Sequence, residues 1–355
     1  MGHLSFTRSV LIMKRLFVAF LILLVSSLAL ATPSTFAEEP PVKYGIALDV
    51  GGVGDNSYND AVMSTVFKFK KKYQIPDSYV RAVITDGTYL DRLTRLRFFA
   101  KSGYSMIIAV GADYNRAISK VANEYPDLTF AIVNSNGVAQ LNVSCLTFNE
   151  SQAAFLAGIA AGSTTKSGYV GFVGTPATVD AYPLFTQGVL FANPKVKASA
   201  LIFDGNKSDA TQFLSNPDIS NSASPKLIDV LYSTWSTDSE ILDAVKSANS
   251  KSRKVWLITE TPDQYFSLLP SEKRNILATV NKRVDLAVND VLELGRNRES
   301  ILDIVSEVNG TYGRMYSVTN SGLSLKFLNP VTSATQAAIS RGITAIKQGK
   351  VSTQG

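Results

Sequence analysis

The sequence predicts an α/β protein of two doubly wound, Rossmann-like lobes, and three observations carry that expectation. From Val42 onward, short β-branched or apolar runs alternate with amphipathic segments, the rhythm of βαβ units around parallel sheets. The early runs are apolar enough to be buried on both faces, as parallel strands between helix layers are. Near Glu150 the series breaks and begins again, so the 355 residues divide into two sheet domains.

Taken in order, strands are expected at 44–50, 79–85, 105–110 and 128–133. Helix-period segments at 59–72, 89–102 and 114–125 join them, the last ended by Pro126. The second series opens with an Ala-rich helix over 151–163 and a Gly-rich, tightly packed strand over 168–174. A helix over 181–192 stops at Asn193-Pro194, and strands follow at 198–203, 227–232 and 254–259, with a helix over 238–248 before the last. The Ser-, Asn- and Asp-rich stretch 205–225 reads as a surface loop. Residues 280–294 read as helical, 315–328 as short strands and 334–347 as a closing helix, and no internal repeat is visible.

Ahead of this lies a secretory leader. Arg8, Lys14 and Arg15 precede an apolar run over 16–31, shorter than the ~20 residues of a spanning helix. Small-residue cleavage sites follow at Ala31 and Ala37, giving a signal peptide over 1–37, and Met13 is an alternative start. An uncleaved anchor is the competing reading. No Cys follows the apolar run, so no lipoprotein Cys is expected; the protein reads as exported, to the periplasm, the cell surface or the membrane.

Composition excludes several chemistries. One Cys, Cys145, rules out an internal disulfide framework and a Cys-based zinc cluster, and the one His, His3, falls in the leader. Without His a chain cannot supply a Ser-His-Asp triad, a Cys-His dyad or an HExxH zinc site. A net charge of +6 comes from scattered cations, apart from Lys68-Phe69-Lys70-Lys71-Lys72 on an expected helix surface, so no stripe tracks a nucleic-acid backbone. No metal, cofactor or nucleic-acid partner is expected, and cleft binding is favoured over catalysis.

In open α/β sheets ligands sit at the carboxyl ends of the strands. The first such loop reads Asp49-Val50-Gly51-Gly52-Val53-Gly54-Asp55-Asn56-Ser57-Tyr58-Asn59. It lacks the GxGxxG dinucleotide fingerprint, because Ser57 stands at the third Gly position, and Asp55 would repel a pyrophosphate. Either Asn56 or Ser57 caps a helix in a plain turn, or Asp49, Tyr58 and Asn59 present a carboxylate, an aromatic face and an amide to one small polar ligand.

This opening resembles the basic membrane protein family, purine-nucleoside-binding lipoproteins that serve as receptors for ABC importers. Later segments agree in order: Tyr125-Pro126-Asp127 into 128–133, Asn149-Glu150-Ser151-Gln152 into 153–158, Lys166-Ser167-Gly168 into 169–174, Ala192-Asn193-Pro194, the 276–285 segment bearing Lys282, and Lys347-Gln348-Gly349-Lys350. The resemblance spans nearly all of 42–350. It implies the type I periplasmic-binding-protein fold, with 42–148 and about 263–300 as the first lobe and 149–262 and about 301–350 as the second. It also implies a nucleoside held between two rings, with Tyr58 at the first-lobe stacking position and Trp235 at the second. Asn59 and Asp49 would meet the base edge or ribose, Lys282 would donate to the ligand or steady a carboxylate, and Asp263 is kept from a ligand-facing motif. A core role for Tyr58, a sheet-capping role for Trp235 and a surface ion pair for Lys282 are the plain alternatives.

Departures from the family fall in the cleft. Where the family carries an acidic residue near the start of the third helix, this chain has Tyr114-Asn115-Arg116, with Asp113 just upstream. Thr261 replaces a ligand-facing Asp, and the Gly-rich strand-loop-helix unit before 254–259 is missing, so a shortened second lobe is expected. The resulting expectation is a monomeric, non-enzymatic receptor of an ABC importer that closes on a purine nucleoside or similar polar solute and hands it to a membrane permease. The alternative is a degenerate member acting as a secreted or surface interaction protein.

Overall fold

The computed structural model describes residues 40–55, 57–176, 178–215, 227–234, 239–250, 253–260 and 270–351. The expected leader, Trp235 and Asp263 lie outside the described residues. The chain runs β1 (Tyr44–Leu48), α1 (Tyr58–Tyr73), β2 (Val80–Ile84), α2 (Tyr89–Lys101), β3 (Met106–Val110), α3 (Asn115–Glu124), β4 (Thr129–Val133) and β5 (Val143–Phe148). It continues with α4 (Glu150–Thr164), β6 (Tyr169–Gly174), α5 (Tyr182–Ala192), β7 (Lys197–Ile202), α6 (Lys207–Ser215), β8 (Val230–Ser233), α7 (Ser239–Asn249), β9 (Trp256–Thr259) and the short α8 (Pro270–Lys273). The last stretch is β10 (Ile276–Lys282), α9 (Val284–Gly295), β11 (Asp303–Ser306), β12 (Thr311–Tyr316), β13 (Leu323–Phe327) and α10 (Ser333–Lys347).

Two sheets result. The first has the order β11-β12-β5-β4-β3-β1-β2 and the second β13-β10-β9-β8-β6-β7. All pairs are parallel except β11 with β12 and β13 with β10. Every residue of β1, β3 and β4 is buried, as their unbroken apolar runs require. Helix starts are fixed by side-chain oxygens: Thr88, Asn149 and Thr332 accept from the N–H of Asp91, Gln152 and Thr335. Helix α4 is buried along 152–162 and packs on α5 and α10. A Cβ on Gly158 would overlap the carbonyl oxygen of Phe185, and one on Gly188 that of Phe155, so the two backbones touch only because both positions are bare.

Four expectations are corrected. Strand β2 pairs only with β1 as an edge, so Arg81, Ala82 and Ile84 are exposed rather than buried on both faces. Within the expected loop 205–225, 207–215 is helix α6, because Ala210, Phe213 and Leu214 fall on one helical face and are buried. The expected helix over 280–294 is two elements: 276–282 is a strand held between β9 and β13, and the helix begins only after Arg283. Consequently 276–282 belongs to the second sheet, while β11 and β12 join the first, and the late passages between sheets fall near 283 and 317 rather than 263 and 301. The pairing of β12 with β5 draws it there, helped by Gly313, whose added Cβ would overlap the backbone of Cys145. The second sheet has six strands, and among the described residues none lies between α7 and β9.

Candidate functional site

The carboxyl edge of the first sheet is organised by carboxylates. Asp55 precedes α1, and its Oδ1 accepts the N–H of Ser57 at 2.9 Å and of Asp60 at 3.2 Å, while Oδ2 accepts that of Asn59 at 3.2 Å. The cap of α1 is therefore Asp55; Ser57 makes no side-chain cap bond, and Asn56 lies outside the described residues. This carboxylate occupies the place where a helix N-terminus would otherwise hold an anion.

Asn59 is buried and turned back on the strand end. Its Oδ1 accepts the Asp49 N–H at 3.0 Å and its Nδ2 donates to the Asp49 carbonyl at 3.4 Å. Asp49 itself is gripped by Arg92 on α2, whose Nη2 donates to Asp49 Oδ1 at 2.8 Å and to Asp113 Oδ2 at 3.1 Å. Of the third-loop residues, Tyr114 is fully buried and donates to the Leu48 carbonyl at 2.9 Å, Asn115 accepts from Ser135 Oγ at 2.6 Å, and Arg116 stacks on the Tyr89 ring at 4.2 Å. The acidic group at this edge is thus Asp113.

A second cluster joins both sheets. Lys282, the last residue of β10, sets its Nζ 2.6 Å from Glu150 Oε1 at the start of α4 and 2.8 Å from Glu260 Oε1 just past β9. Tyr232 on β8 donates its hydroxyl to Glu260 Oε2. The side chains of Lys282 and Glu260 are 6% and 4% exposed, so Lys282 makes a buried ion pair rather than a surface one. Burial, then the Glu150 charge, pushes the Glu260 carboxyl up to about 8 against the pull of Lys282. Burial would raise Glu150 as well, but the Lys282 ammonium and a hydrogen bond from Glu260 hold it below the usual carboxylate range. Lys282 thus keeps its charge between two unequal carboxyls, Glu260 holding its proton more tightly than Glu150.

Tyr58, the first residue of α1 in the first lobe, lies beside this second-lobe cluster. It is half-buried and packs against the core, and burial pushes its phenol up to about 12, with Lys282 opposing and Glu150 and Glu260 adding. The structure thus brings Tyr58 to Lys282 and Asn59 to Asp49. Glu150, Glu260, Tyr232, Arg92 and Asp113 join them without having been singled out as site residues from sequence. On the second lobe, Thr234 is fixed by a 2.6 Å hydroxyl contact with Thr178 and by its N–H to the Val173 carbonyl, anchoring the chain one residue before Trp235. Cys145 is buried in β5, where its thiol donates to the Val138 carbonyl. Among the described residues no group of His, Cys, Asp and Glu suits a metal ion, and no helix is long and apolar enough to cross a membrane.

Two parallel-sheet lobes whose carboxyl edges meet at a polar cluster make up the type I periplasmic-binding-protein fold. A solute-binding protein of an ABC transporter system from Conexibacter woesei superimposes with a TM-score of 0.63 at 18% identity, covering 87% of this chain and 98% of that one. An Actinobacillus succinogenes periplasmic solute-binding protein with bound D-allose gives 0.55 at 12%, covering 81% and 98%. Residues 43–303 match the Bmp family model, described as ABC transporter substrate-binding protein PnrA-like, and the chain belongs to that family. The ABC transporter nucleoside-binding protein BmpA of Lactococcus lactis is 25% identical over 322 residues, 87% of this chain and 88% of its own. A CD4+ T-cell-stimulating antigen of Listeria innocua is 30% identical over 258 residues, 68% and 70% of the two chains. Membership makes this a substrate-binding component that takes a small-molecule ligand and works with a membrane permease.

Proposed function

We propose that this protein is an exported, monomeric receptor that closes its two lobes on a purine nucleoside or a similar small polar solute and presents it to the permease. The observation that carries this reading is the meeting of Tyr58 from the first lobe with Lys282, Glu150 and Glu260 from the second, a polar, part-aromatic junction between the two carboxyl edges. The name of the Lactococcus relative, a nucleoside-binding protein similar over most of its length, supports the solute class. In this reading Tyr58 and Trp235 face the base from opposite lobes. Stacking contributes about 1–3 kcal/mol per base on each ring, a large part of the ~8 kcal/mol of a micromolar complex. Asp49, Asn59, Lys282 and Asp263 orient the solute, and the action is binding with hinge closure rather than catalysis. The passages near 149, 283 and 317 form the hinge.

Titration with inosine, guanosine and adenosine, followed by Trp fluorescence and melting temperature with ribose and free bases as controls, tests this. Saturable quenching with a ligand-dependent rise in melting temperature is expected. A flat response from folded protein refutes nucleoside binding and favours the surface-interaction reading, which the inward commitment of Asn59 to the Asp49 backbone already suits.

A further inference from the structure

Arg92 has no place in the family resemblance, yet it is the most heavily engaged cation of the first lobe's carboxyl edge. It sits on a surface helix and is only 6% exposed, unusual for an arginine without a dedicated partner set. Its Nη1 donates to the Gly87 carbonyl at 2.5 Å, after β2, and its Nη2 to Asp49 after β1 and Asp113 after β3. One guanidinium therefore ties three successive strand-end loops. Its Cζ lies 5.3 Å from the centroid of the Tyr114 ring, itself fixed to the end of β1. Nε is buried and makes no hydrogen bond among the described residues, so the other nitrogens and their acceptors set the head-group's orientation.

The two carboxylates differ from the cation in exposure. The Asp49 side chain is 30% exposed and that of Asp113 72%, against 7% for Arg92. Gly111 deepens the arrangement: its φ of +96° suits glycine, and a Cβ there would lie 2.9 Å from Asp49 Oδ2. Two acceptor groups thus share one buried nitrogen while keeping solvent-reaching surface at the strand ends. A carboxylate accepts hydrogen bonds only, so such a pair suits a solute that offers hydroxyl or N–H donors.

Resting on the receptor reading above, we propose that Arg92 is a positioning residue that holds Asp49 and Asp113 together as a paired acceptor for hydrogen-bond donors on the solute. Without the cation the two carboxylates repel and the three loops lose their common tie. Lysine, a point charge on a flexible stem, cannot reproduce the fork.

The test compares wild type, Arg92→Met, Arg92→Lys and Asp113→Asn against inosine and 2′,3′-dideoxyinosine. Loss of a charge-assisted hydrogen bond predicts a roughly tenfold to hundredfold drop in inosine affinity for Arg92→Met, with a smaller drop for Arg92→Lys. Affinity for the dideoxy analogue, which lacks both donors, should change little, so the preference between the two solutes collapses. Equal losses for both would reduce Arg92 to a structural residue and overturn the proposal. A second readout needs no solute: Asp113→Asn should raise the melting temperature in the Arg92→Met background, where it removes repulsion, and lower it in the wild type, where it removes an ion pair. If wild type binds neither nucleoside, the nucleoside reading fails and the role in positioning acceptors for one falls with it, whereas the reversal in melting temperature still decides whether Arg92 holds the pair.

Discussion

Glu260→Gln should flatten the pH dependence of this protein's stability. The Glu260 side chain is 4% exposed, accepts from Tyr232 and faces Lys282 at 2.8 Å, and its carboxyl sits at about 8 in the folded protein against an ordinary value of 4.5. Between those values the folded state keeps a proton that the unfolded chain has released. The stability this contributes is fully present below about 4.5 and is lost as pH rises through about 8. One proton corresponds to at most about 1.4 kcal/mol per pH unit, and because the group is half ionised at pH 8 the loss between pH 6 and 8 is roughly 2 kcal/mol. At ~2–4 °C per kcal/mol for a large domain, the wild-type melting temperature should fall by roughly 4–8 °C over that interval. Glutamine keeps the shape and both hydrogen-bonding functions but cannot ionise, so the variant should lose most of that slope. The window is unusually clean, because the only histidine in the sequence is His3, in the expected leader. Calorimetric scans from pH 5.5 to 8.5 at fixed ionic strength read the effect. A flat wild-type profile, or an equal slope in Glu260→Gln, would refute the assignment of a buried, protonated carboxyl.

Three further outcomes are expected. Trp235→Ala should weaken nucleoside binding at least roughly tenfold, one stacking contact, with the fold intact; titration calorimetry measures it, and unchanged affinity removes Trp235 from the site. Asp55→Ala strips a cap that accepts three N–H groups and should cost about 1–2 kcal/mol by urea unfolding, whereas Ser57→Ala should cost little. Gly158→Ala drives a methyl into the Phe185 carbonyl and should destabilise by about 3 kcal/mol or more; a neutral result would mean that α4 and α5 can separate without loss.

Much of the architecture was legible because burial demands it. The parallel core strands are apolar runs of about the length that hydrogen-bonds into the sheet, and two of the helices show their stops, α3 before Pro126 and α5 before Asn193-Pro194. The errors share one cause. A polar composition hid α6, whose buried face needs only Ala210, Phe213 and Leu214, and the apolar run 276–282 satisfies strand and helix patterns equally until its neighbours β9 and β13 are known. Likewise nothing local tells whether 303–316 pairs with the first sheet or the second; the β12–β5 register decides it.

The site divides along the same line. Asp49, Tyr58 and Asn59 could be singled out because they follow the first strand, where open sheets place ligands. Arg92 left a trace as well, a charge on the helical face of Leu96 and Phe99 where a core residue belongs, and Glu260 is an acid set directly after an apolar strand. What sequence could not supply was partnership. Arg92 lies 43 residues from Asp49, and Lys282 lies 132 from Glu150. By itself the sequence determined the βαβ rhythm and the kinship with a receptor family, since each depends on residue type and short-range order. Only the tertiary structure decided which strands share a sheet, which carboxyl keeps its proton and which cation is already spoken for, because charge and hydrogen bonding act across a few ångströms of space whatever the separation along the chain.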